Sequence, residues 1–361
     1  MRTLPAWFAP VAFLDRPPYM NAMQSRSAKL IALAVGCAVA AAAAYTGYWY
    51  WAADGVKREI AAWAADRRAA GWEVVLGEPP VGGFPGRIEV TLDGLRIAGP
   101  EGASRWRWQP PRVTAYARPW APEKIAIQAR GTHLIDAGEG EAVVTLAEAE
   151  ADLVAHARGI KDAVLRLAGI EATLADGGRV TASSVILHGH ERARVVEADS
   201  ALGTGIAFDA RALALPPAWQ PPLGTAVDRV ALDAVVTGKI DPTGALRDVL
   251  ARWRDGGGAL EVKALAVDWQ ALKLRADGTF AFDEEMQPQG AMTAEISGID
   301  QTADALIAAG VINAQAAFAA KVANKALTLG GGPARLPLTI QKRKLYLGPV
   351  PLVTLKPVVW R

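Results

Sequence analysis

The sequence predicts an α+β protein: one N-terminal transmembrane helix followed by a mostly antiparallel, strand-rich body with a few packed helices. Three observations lead there. Positions 30–51 form a run of 22 residues without a charge, LIALAVGCAVAAAAAYTGYWYW, which as a helix reaches about 33 Å, enough for the hydrocarbon core of a bilayer. Downstream, alternating apolar and polar segments recur at intervals of roughly 8–12 residues between Gly, Pro and Asp, the pattern of strands and hairpins. After position 70, helical periodicity is confined to two stretches near the C-terminal end.

Composition narrows the function classes. The 361 residues are 51% hydrophobic and 21% charged, too apolar for a disordered chain. With 39 basic against 37 acidic residues the net charge is +2, which offers no phosphate-backbone grip, so nucleic acid is excluded as a partner. One cysteine, Cys37, and four scattered histidines make neither a disulfide framework nor a zinc centre. No metal or cofactor is expected.

The elements follow in order. Residues 1–29 read as a cytoplasmic tail, the first 22, with Pro5, Pro10, Pro17 and Pro18, reading as nothing structural; translation starting at Met20 or Met23 is an alternative. Arg26 and Lys29 precede the apolar run, so the positive-inside bias puts the N-terminus in the cytoplasm and the body in the periplasm, anchored in the inner membrane. Residues 30–39 also suit a signal peptide, with Ala42-Ala43-Ala44 as its cleavage site. Tyr45, Tyr48, Trp49, Tyr50 and Trp51 are interface aromatics and favour a retained anchor. Cys37 reads as a small apolar residue of the helix; the leucine that precedes a lipidated cysteine by three positions is absent.

Residues 52–70 read as an amphipathic helix with Val56, Ile60 and Trp63 on one face, stopped by Gly71. Strands are predicted at 72–76, 87–92 with a turn at Asp93-Gly94, 112–117, 124–128, 142–146, 151–155, 163–168, 171–174 and 179–187. The proline-rich seam 216–222 divides a strand-rich half, 71–215, from an α+β half, 223–361. Trp-Gln-Pro-Pro at 108–111 and again at 219–222 hints at related halves. Beyond the seam come a strand at 227–237 and a helix opened by an Asp241 cap with Pro242 in its first turn. Leu246, Val249, Leu250 and Trp253 form its apolar face, and Gly256-Gly257-Gly258 stops it. Strands at 259–267 and 272–276 follow, a turn at Asp277-Gly278, then strands at 279–283 and 292–296. Residues 302–327 read as two helices broken at Gly310, and 335–340 with 344–347 as a closing hairpin.

Three stretches resemble an uncharacterised family of alphaproteobacterial inner-membrane-anchored envelope proteins, a domain of unknown function. They are Gly83-Phe84-Pro85-Gly86-Arg87 leading into IEVTLDGLRI, where the family has a Gly-Phe-Pro-x-Arg motif; WRDGGGALEVKAL at 253–265 with Trp269 and GTFAFDEEMQPQGAMTAEISG; and the ending RLPLTIQKRKLYLGPVPL. The likeness spans about residues 24–356, and its middle stretch is the most specific. More distantly, the strand–Gly–strand style is similar to AsmA-like envelope proteins with elongated, apolar-lined β-grooves. The resemblance implies a membrane-anchored envelope protein and supplies no catalytic residues.

Reactive constellations read as structure. A phosphate loop at Gly82–Arg87 would need successive free N–H groups at a helix start, but Pro85 removes one and a strand follows; the segment is a turn, with Phe84 anchored in the core. His188 and His190 share a strand face without a third metal ligand. Asp283, Glu284 and Glu285 read as a solvated loop. Ser183 and Ser184 lie inside a strand, and Gly-x-Ser-x-Gly is absent. Lys342, Arg343, Lys344, Lys356 and Arg361 read as charge guarding an exposed turn or edge, with a phospholipid headgroup as the functional alternative. Twelve of the 25 aromatic residues are tryptophan, suited to core filling or to lining a groove. Two readings remain: a non-enzymatic envelope protein holding lipid or another apolar ligand along a curved sheet, with Val262, Leu265, Val267, Leu272 and Leu274 as groove lining, or an adaptor that contacts other envelope proteins. A hydrolase of unrecognised type is a third, weaker alternative.

Overall fold

Helix α1 (Tyr19–Ala69) contains the whole apolar run. Within it, Lys29–Ala69 is long and apolar enough to cross a membrane, a property shared by anchors and signal sequences. Leu30, Ile31, Leu33 and Val39 are exposed, which water penalises and hydrocarbon does not. The computed structural model describes residues 19–100, 106–138, 140–156, 159–192, 203–241, 245–328 and 335–360. Of the tail read at 1–29, residues 1–18 lie outside them and 19–29 belong to α1; Pro242 and Arg361 lie outside as well. The chain forms two units, one ending at Gly55 and the other beginning at Val56. In the second unit Ala64 is buried, the Arg68 Nε donates to the Val74 carbonyl at 2.8 Å, and Gly71 closes the helix with φ +84°.

The body is one antiparallel sheet. Its strands are β1 (Glu73–Val75), β2 (Val81–Gly82), β3 (Ile88–Asp93), β4 (Arg96–Ala98), β5 (Arg107–Gln109), β6 (Arg112–Arg118), β7 (Ala121–Gln128), β8 (Gly131–Asp136) and β9 (Glu141–His156). They continue as β10 (Gly159–Thr173), β11 (Arg179–Arg192), β12 (Gly203–Ala214), β13 (Ala226–Thr237), β14 (Ala259–Trp269), β15 (Leu272–Phe282), β16 (Pro288–Ser297), β17 (Arg335–Gln341), β18 (Lys344–Leu347) and β19 (Val350–Thr354). From β9 to β19 each strand pairs with the next in sequence.

Before β9 the sheet forks. One edge of β9 is shared, residues 141–146 pairing with β8 and 150–154 with β7. One arm continues β8–β5–β4–β1 and the other β7–β6–β3–β2. The arms separate at a crease where three chain passages break at the same level: Gly94-Leu95, Pro110-Pro111 and Ala129-Arg130. Two prolines lack the N–H a ladder needs, and Gly94 takes φ +67°. Asp93-Gly94 is therefore not a hairpin turn, since β3 and β4 do not pair with each other.

Several predicted boundaries merge. The segments 142–146 and 151–155 are one strand, β9; 163–168 and 171–174 are β10; and Asp277-Gly278 lies inside β15. The glycines read as punctuation are sites of close approach. A Cβ at Gly278 would sit 2.3 Å from the Ala291 carbonyl oxygen on β16. Strand β12, absent from the prediction, pairs with β13 from Ala214↔Ala226 to Thr204↔Val236. The proline-rich seam is the loop between these two strands, so the sheet runs through both predicted halves. The two Trp-Gln-Pro-Pro segments also differ in setting, one at the crease and one in this loop.

Helix α2 (Leu246–Asp255) starts later than predicted, with Ala245 as N-cap and no side-chain cap bond; Asp241 instead offers its carbonyl to the Arg252 guanidinium at 3.2 Å. Val249 and Trp253 are buried and Leu246 is exposed. Helices α3 (Ile299–Ala308) and α4 (Ala314–Thr328) flank Gly310 as expected. A core cluster of Ala276, Ala294, Leu336, Leu338 and Leu347 from the sheet and Ile299 from α3 closes this end.

Candidate ligand-binding face

Residues directly opposed in an antiparallel pair project to the same side, so the register traces each face across the sheet. On one face Leu165, Leu187, Phe208, Leu232, Leu265 and Ala276 follow one another from β10 to β15. The row extends through Ala151 and Ile127 toward β3 and through Ala294 to Leu336. A second row, two residues along, passes Leu153, Ala163, Gly189, Ile206, Ala234 and Val262 and ends at Gly278, Met292 and Leu338. The third passes Leu167, Val185, Ala210, Val230, Val267 and Leu274. No polar side chain interrupts these rows. At strand spacings of about 4.8 Å and row spacings of about 7 Å the apolar face is on the order of 50 Å long and 14 Å wide.

The opposite face is charged and internally paired. Arg166 meets Asp152 at 2.5 Å, Asp209 meets both Arg211 at 2.8 Å and Arg229 at 2.5 Å, and Arg275 meets Asp268 at 2.8 Å. The flanking guanidinium groups hold the Asp209 and Asp268 carboxyls below their ordinary value of 3.8 through hydrogen bonds, against a smaller opposing effect of burial.

Cover on the apolar face is uneven. At its C-terminal end α3 and the β18–β19 hairpin pack on it, leaving an apolar pocket of 280 Å³ lined by Leu272, Leu274, Ile296, Leu306 and Leu345. At the opposite end of β15, α2 contributes Leu250 and Trp253 to a second apolar hollow of 380 Å³ with Val236, Leu260 and Phe280. Toward the middle, Leu165, Phe208 and Leu232 are half-buried and Leu187 is 41% exposed.

The five groove positions read from the sequence, Val262, Leu265, Val267, Leu272 and Leu274, all lie on this face. Val262 is buried, and Leu265 and Leu274 pack against the core cluster, so they belong mainly to its covered end. Sequence reading missed Leu187, Phe208 and Leu232. The signal was present as period-two alternation, LHGH apart from IAFDA, but the glycines that open β12 hid its frame.

The residues carrying the resemblance brace the sheet. Trp253 donates to the Thr237 carbonyl at 2.7 Å and lies edge-on to Phe282, which in turn meets Trp360. Gly258 leaves room for that indole, since a Cβ would come within 2.3 Å of its Nε1; Gly256 caps α2 and Gly257 takes φ +77°. Arg254 donates to the Asp283 and Glu284 carbonyls, and the Asp283 carboxylate accepts from the Glu285 and Gln287 amides, so the acidic loop is a self-bonded turn. Trp269 donates to the Gly224 carbonyl at 2.8 Å, fastening the proline-rich loop. Gly83 and Arg87 close the β2–β3 loop by a backbone bond of 3.0 Å, with Gly83 at φ +94° and a cis Phe84–Pro85 bond. Phe84 is 49% exposed and does not anchor that loop in the core; the backbone closure places it at the tip.

His133, His156 and His188 have hydrogen-bond partners, whereas the His190 Nδ1 is buried without one. His188 bonds Asp162 at 2.8 Å and lies 4.8 Å from the His190 ring. Buried His133 accepts from the Trp108 indole N–H at 3.2 Å and bonds the Ala129 carbonyl at 2.7 Å. Lys342 and Arg343 form the two-residue turn of the β17–β18 hairpin, both at positive φ, which confirms the closing hairpin.

Comparison with curated proteins and with solved structures finds no match. The model of one family, described as an uncharacterized protein conserved in bacteria, matches residues 49–356, and the chain belongs to this family, DUF2125.

Proposed function

We propose that this protein is a non-enzymatic, membrane-anchored envelope protein whose body holds lipid, or another long apolar molecule, along the apolar face of its sheet. The observation that carries the reading is the set of three uninterrupted apolar rows, backed by an ion-paired opposite face and incompletely covered in the middle. Monomeric soluble proteins rarely leave contiguous apolar patches of more than a few hundred Å² exposed unless these serve binding. A strip on the order of 50 Å long without polar side chains offers no directional contacts to a compact polar substrate, but it matches acyl chains. Helix α1 would hold the body at the inner membrane, and Arg26 and Lys29 ahead of the apolar run favour a periplasmic body.

The test is the lipid content of protein purified gently in a mild detergent, read by extraction and mass spectrometry. Wild type should carry phospholipid, and Leu187→Asp should lose most of it while keeping its unfolding midpoint. Wild type without lipid would overturn the reading, as would undiminished lipid on Leu187→Asp.

A further inference from the structure

On the β2–β3 arm, a cavity of 950 Å³ opens between the Gly83–Arg87 loop, the β6–β7 turn and strand β9. It holds cations of two kinds. Arg87 is engaged, paired with Glu89 at 2.6 Å and set over the Tyr116 ring at 5.5 Å. Arg118 and Lys124 also line the cavity and are exposed, and among the described residues neither makes an ion pair or a side-chain hydrogen bond. The carboxylate that lines the same cavity, Asp152, is already taken by Arg166 at 2.5 Å. Trp120, at the tip of the two-residue β6–β7 turn, contributes to the lining while 63% exposed. Phe84, in the neighbouring loop, is 49% exposed.

We propose that this cavity binds the anionic phosphodiester head of an amphiphile, with Arg118 and Lys124 meeting the phosphate and Trp120 packing on the adjoining apolar part. Two unspent cations beside a neutralised carboxylate select an anion, and a guanidinium matches phosphate oxygens in geometry as well as charge. The cavity is of a size that takes whole organic ligands, far larger than a bare phosphate needs. The exposed Trp120 indole in its lining suits a ligand with one wet and one apolar end. The choice of a lipid head over another phosphodiester rests on the proposed function; the anion site itself does not.

The test uses full-length protein in an uncharged detergent, titrated calorimetrically with dihexanoyl phosphatidylglycerol below its micelle concentration, with inorganic phosphate and dihexanoylglycerol as separate probes. Phosphatidylglycerol should bind, and Arg118→Gln with Lys124→Gln should weaken it by at least about tenfold, given the worth of hydrogen bonds to charged groups. Both side chains are exposed and unpaired, so the double variant should keep its unfolding midpoint. Trp120→Ala should weaken the lipid and leave inorganic phosphate unaffected. Leu187→Asp should leave this binding intact, which separates a failure here from a failure of the apolar-face reading. Equal affinity of wild type and double variant would overturn the site. Inorganic phosphate binding as tightly as the lipid, or uncharged dihexanoylglycerol binding equally well, would overturn the assignment of an anionic amphiphile.

Discussion

The middle of the sheet, β10 to β13, and its C-terminal end, β14 to β17, carry the same alternation on the same face but meet different surroundings. At the C-terminal end the central row narrows to Ala276 and Ala294, and both are buried beside Leu336 and Ile299. In the middle the row is large, Leu165, Leu187, Phe208 and Leu232, half-buried or exposed. Small side chains let covering elements approach a sheet closely, whereas large ones fill the space that such elements would occupy. Alternation thus decides which face is apolar, and within the central row the small side chains coincide with the end that the protein itself covers.

The largest test of this difference is truncation. Leu336 is 1% exposed within the core cluster, so Leu336→Ala should cost about 3–5 kcal/mol, the loss of transfer energy plus a cavity. Leu187→Ala removes the same atoms from a 41% exposed position and should cost less than about 1 kcal/mol. Denaturant unfolding of both variants reads the contrast. Similar losses would mean that the middle is as closed as the end.

A second pair of variants adds atoms instead. Gly189 and Gly278 occupy the same apolar row, one in each region. A Cβ at Gly189 meets nothing within 4 Å, while one at Gly278 falls 2.3 Å from the Ala291 carbonyl oxygen and 2.6 Å from the Met292 Cα. Gly278→Ala should therefore destabilise by about 1–3 kcal/mol, because backbone must move. Gly189→Ala should be neutral within about 0.5 kcal/mol. A loss at Gly189 equal to that at Gly278 would place unseen packing over the middle.

The same glycines explain what was legible beforehand. The apolar helix, the antiparallel body and the closing hairpin follow from charge-free length, period-two patterning and the charged turn at Lys342-Arg343. Strand lengths did not, because Gly169 and Gly278 carry the composition of turns while serving close contact between neighbouring strands. The fork was hidden for a different reason: it depends on which strands share an edge of β9, a long-range choice that no local pattern encodes. All five positions read as groove lining fall on the one apolar face, since alternation encodes facing. Their location at the covered end depends on α3 packing, and the cavity with Arg118 and Lys124 depends on two distant loops meeting.

The smallest effect concerns the charged side, where the two regions should behave alike. Asp209 in the middle sits between Arg211 and Arg229, and Asp268 at the end pairs with Arg275; hydrogen bonds from these guanidinium groups lower both carboxyls from 3.8. A carboxyl lowered in the folded state contributes stability above its unfolded value and loses it as pH falls through the folded one. The folded protein binds fewer protons than the unfolded chain in that window, so acid favours unfolding. Urea midpoints measured between about pH 5 and pH 3 should fall with pH in wild type, and Asp209→Asn should flatten the slope. The change should be modest, because partly exposed pairs are screened by water and salt. Asp268→Asn should flatten it by a similar amount, as the two sites share a cause. A slope unchanged in Asp209→Asn but reduced in Asp268→Asn would mean that the Asp209 cluster does not brace the middle strands as the Asp268 pair braces the end.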